Sequence, residues 1–339
     1  MVGGPFGRSG RRSLRPAVLA GVLLVGSVAA GCGSSTAAED EDVVPAASVA
    51  RPVLQVRAAP VAATYNLPAG SGPTAIVSDG TNMWTANSGA SSVSKITPTG
   101  VVTSFNLPGG SRPQAIAFDG ANLWTANFDG SSVSKVAPAG TVTSFNLPAR
   151  SEASAIAFDG RAVWTANSGT NSVSQVTPTG SVMTYELPEQ RAPSGIAFDG
   201  VNLWTANNGT SSVSKVTPTG SVTTYDLPRG SYPFDIVFDG VNLWTADNGT
   251  SSVSRIAPTG SVTTFSLPAG SRPQAIAFDG KDLWTADSGT NTVSTISVAT
   301  GAVVASYAIG GSPRGIAFDG TNLWVTQFEA GAVVKMPIR

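Results

Sequence analysis

Apolar and polar positions alternate in short runs along residues 61 to 339, and the runs return in the same order every 40 residues. Residues 112 to 148, RPQAIAFDGANLWTANFDGSSVSKVAPAGTVTSFNLP, show the unit. Four β-prone runs, AIAF, NLWTAN, SVSKV and TVTSFNL, are separated by Asp119-Gly120, Asp129-Gly130 and Pro138-Ala139-Gly140. No 3.6-residue apolar period competes with the alternation. Asp-Gly marks a hairpin because glycine takes positive φ without steric cost. Trp84, Trp124, Trp164, Trp204, Trp244, Trp284 and Trp324 are the only tryptophans, each 40 residues after the last. A 40-residue unit of four strands predicts a propeller blade.

The copies start near Pro73, Pro113, Ala153, Pro193, Pro233, Pro273 and Pro313. The seventh supplies three strands, while an unattached fourth-strand copy, ATYNLP at residues 63 to 68, precedes the first. Pairing that strand with the last blade removes two exposed sheet edges. The expected fold is all-β: one seven-bladed β-propeller over residues 61–339, four antiparallel strands per blade, closed by the N-terminal strand. Large and small side chains alternate along the first two strands, so the tryptophans read as packing between sheets. The Asp-Gly column, Asp79 to Asp319, reads as turns in which aspartate bonds its own backbone, with a calcium array as the weaker alternative.

Residues 1–31 read as an export signal: Arg8, Arg11, Arg12 and Arg15 precede AVLAGVLLVGSVAA, an apolar stretch too short to span a bilayer. It ends in Ala29-Ala30-Gly31-Cys32, which resembles the lipobox of bacterial lipoproteins and implies lipidation of Cys32, the single cysteine. The acidic, Ala/Ser/Pro-rich residues 32–60 read as a flexible tether reaching about 30 Å. Without the four signal arginines, 16 basic and 21 acidic residues leave −5, and neither sign clusters in the repeats. That excludes a nucleic-acid footprint. The expected location is exported, lipid-anchored to the outer face of the bacterial cytoplasmic membrane or cell surface, with membrane contact through the anchor only and a monomeric head.

The blade consensus PxxIAFDGxNLWTANxGTxSVSKVTPTGSVTTYxLP resembles the repeat of the virginiamycin B lyase (streptogramin lyase) family over residues 61 to 339. Residues 291 to 324 look equally like YVTN-type surface propellers. Both resemblances imply a seven-bladed propeller. The lyase resemblance also implies elimination chemistry by a catalytic histidine, with glutamates and magnesium. The chain has no histidine, and where the family has the glutamate of WFTE it has Asn87, Asn127, Asn167, Asn207, Asp247, Asp287 and Gln327. The family's general base therefore has no counterpart. If there is catalysis, Asp247 and Asp287 are the candidates, and Asp247 needs a raised pKa to serve as base.

Function is expected where the copies differ, at the blade starts and after the tryptophan strand. Arg112, Gln114, Glu152, Ser154, Tyr232, Phe234, Asp235, Arg272, Gln274 and Arg314 stand at the starts. Asp247, Asp287, Gln327, Phe128, Asp129, Phe328 and Glu329 follow the second strand. This mixture of aromatic, carboxylate and guanidinium reads as a rim that recognises a small molecule, glycan or protein. No cofactor is expected; two carboxylates raise magnesium or calcium but fall short of a full shell. Lys95, Lys135, Lys215, Arg255 and Lys335 share one third-strand position and read as solvation of outer strands. A binding module is favoured, with a lyase-like or lactonase-like metal enzyme and a passive surface spacer as alternatives.

Overall fold

The structure is a computed structural model and describes residues 55–188 and 190–338. The signal segment, Cys32 and the tether through residue 54 lie outside the described residues. The described chain contains strands and turns only, arranged as seven sheets. Blade 1 shows the pattern: an inner strand Pro73–Ser78, a second Met83–Asn87, a third Ser92–Ile96 and an outer Val102–Asn106, all antiparallel.

Ring closure follows the sequence expectation. Ala63–Asn66 pairs antiparallel with Ala332–Pro337 and becomes the outer strand of blade 7. Tyr65 stacks on Trp324 at 5.3 Å, just as Phe105 stacks on Trp84 within blade 1. The tether boundary, however, needs correction. Val56–Ala58 is not tether but a fifth strand, parallel to the outer strand Val303–Ala308 of blade 6. Three residues are too few to show an alternation, but an outer strand leaves a row of unpaired backbone groups that such a segment satisfies.

The core lies between sheets. Each tryptophan packs on the next blade: Trp84 with Ile116, Leu123 and Val136, and Trp324 with Ile76, Met83 and Ile96 across the closure. At about 25 cal/mol per Å², burying one indole contributes roughly 4–6 kcal/mol as an upper bound. The indole N–H would be stranded there without a partner. Trp84 Nε1 donates to Asp79 Oδ2 at 2.7 Å, while Asp79 Oδ1 accepts the backbone N–H groups of Thr81 and Asn82. The clamp recurs in all seven blades. Burial pushes these carboxyls up, but the donated hydrogen bonds outweigh it and hold Asp79, Asp119, Asp199, Asp239 and Asp319 below the ordinary value. Oxygens filled by N–H donors are not free for calcium, so the column is turn and clamp.

The basic column does more than solvate outer strands. Lys95, Lys135, Lys215 and Lys335 place Nζ over the tryptophan of their own blade at 5.1–5.6 Å, and Arg255 lies 5.9 Å from Trp244. The charges cover the indole faces from the third strand, a cation–π contact.

Candidate functional site

Seven inner strands line a central channel, and its mouth opens where the blades start. The second residue of each inner strand forms a ring there: Thr74, Gln114, Ser154, Ser194, Phe234, Gln274 and Arg314. Beneath it Ala75, Ala115, Ala155, Asp235, Ala275 and Gly315 complete a cavity of about 230 Å³. Glycine is required at residue 315, where a Cβ would come within 2.7 Å of the Ala75 Cα. The cavity is wide enough for a small molecule and too narrow for a folded partner.

The ring divides by chemistry. Thr74 Oγ1 donates to the carbonyls of Ala86 and Pro113, tying its own second strand to the next blade. Ser154 and Ser194 do the same towards Pro193 and Pro233. Blades 1, 3 and 4 thus spend this position on clamping neighbours. Blades 2, 5, 6 and 7 project long side chains there: Gln114, Phe234, Gln274 and Arg314. Phe234 is 42% exposed, unusual for a phenylalanine beside a cavity.

Of the sequence candidates, the structure brings Gln114, Phe234, Asp235, Gln274 and Arg314 together. Arg112, Tyr232 and Arg272 stand outside the cavity, each one residue before the inner-strand proline. Their φ values of 44° to 48° are left-handed. The turn carries this strain because the residue's N–H is held, as where Arg112 N–H donates to Ser91 Oγ at 3.2 Å. Arg112 also pairs with Asp129 at 3.3 Å and lies over Phe128.

Asp247, Asp287 and Gln327 are corrected: none faces the rim. Both aspartates are fully buried between blades. Their loops do open at the mouth, but the side chains turn inward onto the sheet face. In blade 1 the Asn87 amide donates to Ser92 and Ser94 and accepts from Thr85 Oγ1. Asp247 keeps the bond from Thr245 Oγ1, at 2.7 Å, and reverses those to the serines, accepting Ser254 Oγ at 2.6 Å. Asp287 likewise accepts Ser294 Oγ at 2.6 Å. Desolvation raises Asp247 to about 7 and Asp287 to about 6 despite these bonds. Gln327 Nε2 donates to the Ile309 carbonyl.

The magnesium site that the resemblance implies does not fit these residues. Asp247 has hydroxyl donors on both oxygens, whereas Asp287 accepts Ser294 and Thr292 on Oδ2 and leaves Oδ1 buried without a partner. The two stand on separate blades, and among the described residues no three His, Cys, Asp or Glu side chains gather to complete a shell. No reaction step is derived through a metal.

Asp235 is the carboxylate that the cavity does contain. Its Oδ1 accepts the N–H of Ile236 at 2.9 Å, and its Oδ2 accepts the N–H of Ile276, on the next blade, at 3.0 Å. Burial raises it to about 6 against these two bonds. Sequence reasoning missed Thr74 and Ser194 as wall residues; the hydroxyl at the second inner-strand position of blades 1, 3 and 4 was the available signal.

Solved structures of the same architecture include virginiamycin B lyase from Staphylococcus aureus, at 25% identity, TM-score 0.75, covering 82% of this chain and 99% of that one. A catalytically inactive histidine-to-alanine variant of that enzyme with quinupristin matches at 26% identity, TM-score 0.75, over 82% and 99%. The WD40 propeller domain of Doa1, at 11% identity and TM-score 0.69 over 84% and 98%, shares the fold alone. No curated protein matches the sequence. The Virginiamycin B lyase family matches residues 23–278 and 199–338. With the repeat unit, the blade count and the ring closure all in accord, the chain belongs to the virginiamycin B lyase family.

Proposed function

We propose that this protein is an exported, lipid-anchored propeller that binds a small ligand at the mouth of its central channel. The observation that carries the reading is the division of the mouth ring. Three positions are consumed in clamping blades, while four carry long side chains of different chemistry into one cavity. A passive spacer built of equal blades has no use for that asymmetry. The family's elimination chemistry is the second reading, favoured by the match along the chain. Against it stand the absence of histidine and the enclosure of Asp247 and Asp287.

A thermal-shift screen of small molecules, with a streptogramin B depsipeptide included and scored for ring opening, tests both. Binders are expected to raise the Tm of the native protein and not of Gln114→Trp, which fills the cavity without touching a clamp. Shifts that survive in Gln114→Trp place binding elsewhere. Ring opening that is lost in Asp247→Asn returns the lyase reading.

A further inference from the structure

Arg314 lies half-buried at the mouth, its guanidinium 3.5 Å from the centre of the Phe328 ring. Stacking covers one face and fixes the plane, leaving the N–H edges. Among the described residues Arg314 makes no ion pair and no side-chain hydrogen bond, whereas Arg112 has Asp129. Desolvation lowers its pKa, Glu329 opposes that only in part and without reaching pairing distance, and the Arg112 charge lowers it further. A desolvated, oriented guanidinium with open donor edges is suited to an oxyanion.

The channel wall shows how it receives a carboxylate. Asp235 is bonded there by the Ile276 N–H, so an N–H at that register points into the channel. Ile76 and Ile116 hold the same register against their second strands as Ile276, paired with Thr85, Thr125 and Thr285. On the blades that precede them, Gly315 and Ala75 stand where Asp235 stands, so no side chain supplies those N–H groups with an acceptor. Arg314 on blade 7 and Gln114 on blade 2 flank this stretch of wall, with the short Thr74 between them. Asp235 lies on the far side of the ring, on blade 5.

We propose, resting on the channel-mouth reading above, that the ligand is a small molecule bearing a carboxylate or phosphate. Its oxyanion is held by Arg314 and Gln114 over the inward N–H groups of Ile76 and Ile116. Phe234 offers an apolar surface to the rest of the molecule. Asp235 across the cavity and Glu329 beside Arg314 are the like charges that limit affinity.

Titration calorimetry with benzoate, phenyl phosphate and the neutral isostere benzamide tests this. Benzoate or phenyl phosphate is expected to bind, and which of the two is tighter identifies the oxyanion; benzamide is expected to bind at least about tenfold more weakly. Arg314→Gln should weaken the anion by about tenfold or more, with Arg314→Lys intermediate because it keeps charge and loses the fork. Asp235→Ala, which copies the alanine of four other blades, should tighten it about threefold. Arg272→Gln removes the same charge from the same face outside the cavity and should change affinity less than about twofold. Equal weakening by Arg314→Gln and Arg272→Gln would reduce the effect to diffuse charge and overturn the proposal. Binding of benzamide as tight as benzoate, blocked by Gln114→Trp, would sink the oxyanion and leave the channel-mouth reading standing. A Gln114→Trp-sensitive hit from the screen, with none of the three probes binding, has the same effect, and no hit of any kind sinks both.

Discussion

At the scale of single residues, one column of the repeat holds two roles that differ by one atom type. Asn87, Asn127, Asn167 and Asn207 donate into their serine hydroxyls, and Asp247 and Asp287 receive from them. The carboxylates are the more expensive choice. Asp247 has a folded value of about 7 against an ordinary 3.8, so folding favours its protonated form. The associated stability is present below about pH 4 and is lost as pH rises to 7. Asp247→Asn should therefore leave the Tm nearly unchanged at pH 4. Above pH 7 it should raise stability by at most about 4 kcal/mol, read by denaturant melts across pH. A gain that is equal at both pH values would show that ionisation is not the cause. This column also marks the limit of sequence reading at the site. Its polarity and its place after the second strand suggested the rim, but the χ angles that turn it between sheets follow from packing and leave no trace in the pattern.

Strands and turns were more legible, because period-2 alternation and Asp-Gly turns report local geometry directly. The closing strand at residues 63 to 68 was found because it copies the outer-strand run of the other blades, and Val56–Ala58 was missed because three residues show no alternation and copy no run of the repeat. Six of the seven outer-strand aromatics, all but Tyr307, also abut a glycine turn of the next blade. Gly140 has φ +95°, and a methyl there would overlap the Phe105 ring, so turn chemistry and blade packing coincide at one position. Deleting residues 61 to 68 removes the outer strand of blade 7, exposes edges on both sides of the closure and should lower the Tm and yield oligomers on size exclusion. Deleting residues 33 to 54 should do neither. Equal stability of the two truncations would mean that closure does not depend on Ala63–Asn66.

For the molecule as a whole, the proposed anchor at Cys32 predicts that Cys32→Ser moves the protein from the membrane fraction to the soluble one; unchanged fractionation would remove the lipid from the picture. The order of the first two strands then acquires a mechanical meaning. A pull from the N-terminal side meets Val56–Ala58 on blade 6 before it meets the closing strand on blade 7. With such an anchor the three-residue strand would act as a strain relief: load would first detach it from blade 6, and the clasp of the ring would be stressed only after that slack had run out. A tethered head tugged by flow or by a bound partner would lengthen before it opened.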